Sequence, residues 1–337
     1  MTKEELSNGL NKKILFSGIQ PTGDLHIGNY LGALKNWVEL QDKYECFYSI
    51  VDLHAITIDY DPAKYKEQIL DTAIDLLAIG IDPKKSVLFV QSQVPEHTEL
   101  TWLFNTLTPI AELQRMTQFK DKSRQNAQNI NMGLFDYPVL QAADILLYKG
   151  ELVPVGEDQL QHLEFANTIV RKFNNKFGEY FQKIEPIVSK TARIMSLQEP
   201  KNKMSKSLGP NHCIALRDDE ETIKKKIMSA ITDAGPQESG RMSPGVDNLF
   251  TLLENFADEK ISKKFNLDYH NGNLKYSELK SKLAEAIINT LKPIQANIAK
   301  LEKDKTKVKK ILTENAKKAK KIAEKNILEI KEKMGLV

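Results

Sequence analysis

The stretch from Lys13 to Val90 constrains the fold most. Three short apolar runs, Lys13–Gly18, Cys46–Val51 and Ser86–Val90, are separated by single segments of helical periodicity. Runs of this length, rich in Ile, Val, Leu and Phe, read as buried strands. Between the first two, Ile27, Leu31, Leu34 and Val38 recur at helical spacing up to about Lys43. Between the second and third, Asp61 caps a helix with Pro62 in its first position. Its apolar face carries Ile69, Ala73, Leu76 and Leu77, and it ends near Gly80. Strands joined by one crossover helix each are not hairpin partners, so the pattern predicts an α/β fold built on a parallel sheet with helices on its faces. Ligands of such sheets sit beyond the carboxyl ends of the strands. The turn Gln20–Asp24 and the segment Asp52–Ala55 fall there.

Further along, residues 96–148 read as mostly helical, with a polar middle from Lys120 to Asn131 taken as a mobile loop. Leu152–Val155 is a further strand, and Gly156-Glu157-Asp158-Gln159 opens an amphipathic helix to about Asn174. Ile184–Val188 is expected as the last core strand, and Gln198–Pro210 as a loop. Beyond about residue 215 only helical faces recur, among them Ile223, Ile227 and Ile231, then Leu283, Ile287 and Leu291. The expected organisation is a polar tail over 1–12, an α/β domain over 13–210 and an all-helical domain over 211–337. A chain of 337 residues suits about two domains. Its two cysteines, Cys46 and Cys213, form no CxxC pair, which argues against a disulfide scaffold or a cysteine zinc site. A polar start and the lack of an apolar run of about 18 residues argue against a leader or a membrane span, so a cytoplasmic protein is expected. The net charge of +3 decides little about partners.

Two segments carry candidate chemistry. The first runs from Gln20 through Pro21, Thr22 and Gly23 to His26-Ile27-Gly28-Asn29. Its glycines let backbone approach a ligand, and it feeds a helix start whose free N–H groups favour phosphate. A structural glycine turn with a polar cap fits the spacing equally well. The second is Lys203-Met204-Ser205-Lys206-Ser207, between Pro200 and Gly209-Pro210. Two lysines three apart can clasp a triphosphate as point charges, with hydroxyl donors beside them. Taken alone, it reads more simply as a solvated basic loop.

Together these segments resemble the two signature sequences of the class I aminoacyl-tRNA synthetases, the HIGH-type motif and the KMSKS motif. The second is matched at all five positions. The first has Asn29 where its namesake has a second histidine, the form that tryptophanyl-tRNA synthetases use. Ser17–Gly23, Val51–Thr57, Arg115–Lys120, Ala142–Tyr148, Val153–Gln159 and Ala192–Leu197 are also similar to that family. The chain thus resembles the bacterial-type tryptophanyl-tRNA synthetases from about residue 13 to 335. The resemblance implies a Rossmann-like nucleotide-binding sheet with a C-terminal anticodon-binding helical domain, and a homodimer built around a helical region at about 96–150.

It further implies activation of L-tryptophan by ATP with Mg²⁺, then transfer to the terminal adenosine of tRNA(Trp). ATP would lie against Gln20, Pro21, Thr22, Gly28, Asn29, Gly156, Glu157, Asp158, Ile194 and the loop Lys203, Met204, Ser205, Lys206 and Ser207. Lys203, Lys206 and Asn29 would stabilise the transferring phosphates. Glu157 and Asp158 equally suit charge stabilisation at a helix start. Tryptophan would meet Asp144, Tyr137, His54 and Gln159. An indole needs an apolar slot and one acceptor for its N–H, and Asp144, amid Ala142–Leu147, could supply it. The simpler reading of Asp144 is the polar face of an amphipathic helix. Gln141 stands where many bacterial relatives have methionine, and Lys122 would lie in the loop near the site or simply on the surface. No resident metal site is expected. His97, His162, His212 and His270 lack ligand spacing and read as ordinary structural or surface residues. The C-terminal lysines, Lys307, Lys309, Lys310, Lys317, Lys318, Lys320 and Lys321, read as a solvated helical face or as tRNA-backbone contacts. A tyrosyl-tRNA synthetase, a small-molecule nucleotidyltransferase and a catalytically silent binder are the alternatives.

Overall fold

The computed structural model describes residues 12–116, 130–156, 159–188, 193–232 and 242–337. Its strands are β1 (Ile14–Ile19), β2 (Glu45–Ile50), β3 (Ser86–Val90), β4 (Leu152–Val155) and β5 (Glu185–Val188). They form one sheet in the order β3-β2-β1-β4-β5, and every neighbouring pair is parallel. Ile14 stands opposite Glu45 and Ile19 opposite Ile50, so β1 and β2 end level with each other. The order reverses between β1 and β4, the doubly wound arrangement that leaves a crevice at the carboxyl ends.

The central strands are apolar on both faces because helices cover both. Leu15, Cys46, Tyr48, Ile50, Leu88 and Val90 join one core, whereas Phe16, Phe47 and Phe89 join the other. β5 departs from expectation. It starts at Glu185, one residue after the buried Ile184, and is mostly exposed because it forms the sheet's outer edge.

The helices before β3 are α1 (Ile27–Asn29), α2 (Lys35–Leu40), α3 (Asp52–Ala55) and α4 (Pro62–Ile79). The expected single helix to Lys43 is instead interrupted by a π turn at Tyr30–Leu34 and ends at Leu40. α4 starts as predicted, with the Asp61 side chain accepting from the Ala63 N–H and Pro62 at the first position. Next come α5 (Glu96–Asn105), α6 (Ile110–Gln114), α7 (Met132–Leu146) and α8 (Leu160–Phe177).

The C-terminal helices are α9 (Glu220–Met228), α10 (Pro244–Phe256), α11 (Glu259–His270), α12 (Tyr276–Glu302) and α13 (Lys305–Met334). The apolar core does not break at residue 210. One cluster runs from Leu15 on β1 through Leu216 and Leu253 to Leu291 and Leu312. α12 packs on α4, and α13 lies along β3, the other edge of the sheet. The buried stripe Ala316, Ala319 and Ala323 gives α13 the clearance for that approach. Covering β3 removes an exposed strand edge.

Candidate active site

The first part of the site lies where β1 gives way to α1. Gly23 has φ +100, a conformation that favours glycine. His26 caps α1, its Nδ1 accepting from the Gly28 N–H at 3.1 Å. Asn29 closes the box, its Oδ1 accepting from the His26 N–H at 3.1 Å. The Asn29 amide nitrogen therefore remains as a donor, and the His26 proton sits on Nε2. Burial, reinforced by the positive charges of Lys206 and Lys203, drives the His26 imidazole down to about 4. It is neutral at pH 7 and caps the helix as a hydrogen-bond acceptor rather than a cation.

The Lys203–Ser207 loop sits directly over this helix start. Met204 is buried, and its N–H donates to the Ile194 carbonyl at 3.0 Å. A Cβ at Gly28 would meet the His26 ring at 2.9 Å, so the His26 cap requires glycine here, and the Met204 Cβ stands 3.4 Å from that same position, which packs the two segments together. After the loop the chain pairs with the first motif. Ile27 N–H donates to Ile214 O at 2.9 Å, and Leu216 N–H to Leu25 O at 2.8 Å. Lys206 Nζ reaches Asp24 at 2.7 Å, and the Ser205 hydroxyl meets that of Ser207 at 2.8 Å. Lys203 is exposed on the same loop. Gln20 is half-buried and Thr22 exposed, flanking the buried Pro21.

Of the other nucleotide candidates, Ile194 is in place as the backbone partner of Met204, with its side chain in the core. Gly156 follows β4 and accepts the Gln159 N–H at 3.0 Å, and Gln159 starts α8. Glu157, Asp158 and Lys122 lie outside the described residues.

The second part is built around Asp144 on α7, which is 1% exposed. It is not on a solvated face. Oδ2 accepts from His54 Nε2 at 2.8 Å, and Oδ1 accepts from Gln91 Nε2 at 2.7 Å and from His97 Nδ1 at 2.6 Å. Burial alone would push this carboxyl up, but hydrogen bonds from His54 and His97 outweigh it and hold it down at about 2. The Tyr137 ring stands edge-on to His54, and its hydroxyl meets His162 Nε2 at 2.9 Å.

Of the histidines read as structural or surface residues, two are structural and lie in this part of the site. His97 is wholly buried against Asp144, and His162 is buried against Tyr137. Linear spacing gave no hint of either, because their partners come from other elements. Two signals were nevertheless present for the neighbours of Asp144. Tyr148 lies four residues after it, one helical turn on, and Gln91 directly follows a strand's carboxyl end. His212 bonds the Ser196 hydroxyl at 2.9 Å, and His270 is exposed at the end of α11. On α13, Lys310 and Lys320 pair within the helix with Glu314 and Glu324.

This architecture has known counterparts. The family model for class I tRNA synthetases (W and Y) matches residues 10–292. A tryptophan–tRNA ligase of Helicobacter pylori is 48% identical over 334 residues, covering 97% of this chain and 100% of the relative. The Campylobacter jejuni tryptophanyl-tRNA synthetase, solved with ADP and tryptophan, has a TM-score of 0.83 and 39% identity, covering 96% of this chain and 100% of its own. The Mycoplasma pneumoniae tryptophanyl-tRNA synthetase has a TM-score of 0.85 and 34% identity, covering 97% and 98%. With both signature loops packed together at the carboxyl ends of a doubly wound sheet, and relatives of this identity along nearly its whole length, the chain belongs to the class I tRNA synthetases of the tryptophan and tyrosine family, on the tryptophan–tRNA ligase branch.

Proposed function

We propose that the crevice above β1 and β4 activates L-tryptophan with MgATP, and that the same site then charges tRNA(Trp). The packing of Met204 against Gly28 carries this reading, because it puts the lysine loop over a helix start suited to phosphate. The tryptophan carboxylate attacks the α-phosphorus and pyrophosphate leaves. The 2′-hydroxyl of the terminal tRNA adenosine then takes the tryptophanyl group from the adenylate. Such transfers need positioning and charge neutralisation more than covalent help from the protein.

In this reading Gln20, Pro21, Thr22, Gly28 and Gly156 shape the nucleotide cradle, Asn29 donates to phosphate, and Lys203 and Lys206 follow the charge onto pyrophosphate. Ser205 and Ser207 add hydroxyl donors, and Glu157 and Asp158 suit the ribose and helix start. Asp144 reads the indole N–H through Oδ2, which carries one protein donor and keeps acceptor capacity. Tyr137 and His54 wall the slot, and Gln159 faces the amino group. Magnesium enters with the nucleotide. The helices from residue 211 onward bind the anticodon, and the enzyme works in the cytoplasm as a homodimer. Trp102, Ile110, Ile130 and Met132, each more than half exposed, support a second copy covering the α5–α7 region.

Amino-acid-dependent exchange of pyrophosphate into ATP tests the activity, with tryptophan, tyrosine and phenylalanine compared. Exchange with tryptophan alone is expected, and none with any of them would overturn the proposal. Asp144→Ala should lower kcat/KM for tryptophan by roughly 10–100-fold, the range for a hydrogen bond to a charged group. A wild-type value would remove Asp144 from indole reading.

A further inference from the structure

The groups that hold Asp144 are more elaborate than an acceptor for one N–H requires. Gln91 and His97 are both 0% exposed and both donate to the same oxygen, Oδ1. Each is anchored at its far end. Gln91 Oε1 accepts the Leu53 N–H at 3.1 Å, tying Asp144 to the helix that carries His54. His97 Nε2 meets the Tyr148 hydroxyl at 2.8 Å. Burial pushes the Tyr148 phenol up, aided by the Asp144 charge, so it stays protonated and donates. His97 must then carry its proton on Nδ1, the atom facing Asp144.

Tyr148 is itself held by the sheet. Its ring stacks on Phe47 with centroids 4.6 Å apart and on Phe16 at 5.9 Å, and meets Phe89 edge-on at 5.7 Å. Those phenylalanines come from β2, β1 and β3 and share one sheet face. A rigid path therefore runs from three strands through Tyr148 and His97 to Asp144. His54, the donor on Oδ2, is different. It is 7% exposed and stands against Tyr137.

We propose that Gln91, His97 and Tyr148 are positioning residues for substrate specificity: they saturate Oδ1 of Asp144 and fix the carboxylate plane so that Oδ2 is the oxygen presented to the substrate's ring N–H. The inference rests on the reading of Asp144 as the indole acceptor. It accounts for three polar groups buried in an apolar core, where unpaired they would be costly. None of the three needs to touch tryptophan.

The test compares tryptophan with β-(3-benzothienyl)alanine, which has sulfur in place of the ring N–H, by pyrophosphate exchange. Wild-type enzyme should prefer tryptophan in kcat/KM by at least about 10-fold, the low end for a hydrogen bond to a charged group. His97→Leu and Gln91→Met each delete one donor to Oδ1 and should cut that preference to within about threefold of unity. The loss should come mainly through a higher KM for tryptophan, with KM for ATP unchanged. His97→Asn restores an N–H near the Nδ1 position and should recover most of the preference. Tyr148→Phe keeps the stacked ring and removes only the hydroxyl. It should lower the preference by a smaller factor of about 2–5, and it decides the matter if the other substitutions do not melt cooperatively.

Cooperatively melting donor-deletion variants that keep the wild-type preference would overturn the proposal, as would an unchanged preference in Tyr148→Phe if it alone folds. If wild-type enzyme accepts both amino acids equally, the reading of Asp144 fails first, and the inference with it. If wild-type enzyme discriminates, and Asp144→Ala does not, but His97→Leu and Gln91→Met still do, only the positioning claim fails.

Discussion

At the scale of the single residue, the site depends on groups held in one protonation state by their surroundings. His26 must be neutral to cap α1 through Nδ1, and burial together with Lys206 and Lys203 brings it to about 4 from an ordinary 6.5. Between those values the unfolded chain binds the proton more readily than the folded one. Stability from this group is full above pH 6.5 and is lost as pH falls through 4. On the order of 3 kcal/mol is at stake over the whole window. Urea unfolding at pH 7 and pH 4.5 should show this slope, and His26→Gln should flatten it. An equal slope in the variant would show that other groups set the acid limit. The place of His26 in the first signature segment was legible in the sequence, but its neutrality was not. That follows chiefly from burial, reinforced by lysines that a loop far along the chain brings over it. Asp144 was likewise legible as a carboxylate in an apolar run, whereas His97 was not, since nothing in its own neighbourhood names a distant acid.

At the scale of elements, the two signature segments are joined by backbone pairing on both sides and by one ion pair. Leu25 and Ile27 bond Leu216 and Ile214, Met204 bonds Ile194, and Lys206 reaches Asp24. Backbone pairing and the buried Met204 hold the loop, because the Asp24 carboxylate is 54% exposed and such a pair contributes no more than about 1 kcal/mol. Asp24 does, however, occupy Lys206, the lysine proposed above to follow the phosphate charge. Asp24→Ala should therefore lower the Tm little and lower KM for ATP about two- to fivefold, as read by pyrophosphate exchange. A raised KM would mean instead that Asp24 helps to place Lys206. The elements themselves were read well wherever periodicity and end signals agree, as in α4 with its Asp61 cap and Pro62. The helix after β1 was read too long because hydrophobic spacing does not distinguish a π turn from an α-helix. β5 was read as core because Ile184 and Ile187 look alike in sequence, although only Ile184 is buried inside the edge.

At the scale of the whole molecule, Arg217 links regions that the sequence kept apart. It follows the lysine loop, bonds Asp75 of α4 at 2.7 Å and also pairs with Glu302 at the end of α12. Asp75 is buried, and burial lifts its carboxyl to about 6 even though Arg217 pulls the other way. An acid raised in this way contributes stability that is full below pH 3.8 and is lost as pH rises through 6. Arg217→Met strands Asp75 without its cation, which should cost about 3 kcal/mol at pH 7.5. The deficit should shrink at pH 5, where Asp75 takes up a proton, and thermal melts at the two pH values measure the difference. A deficit independent of pH would place the damage elsewhere, for instance at Glu302. Strand and helix order, the parallel sheet and both signature loops were present in the linear chain, because periodicity, caps and glycine turns act over a few residues. The tertiary structure alone decided that α13 returns to cover β3, that the apolar core continues across residue 210, and that Gln91, His97 and Tyr148 converge on Asp144. Those outcomes depend on which distant surfaces can bury one another without leaving a polar group unpaired, and no local pattern encodes that.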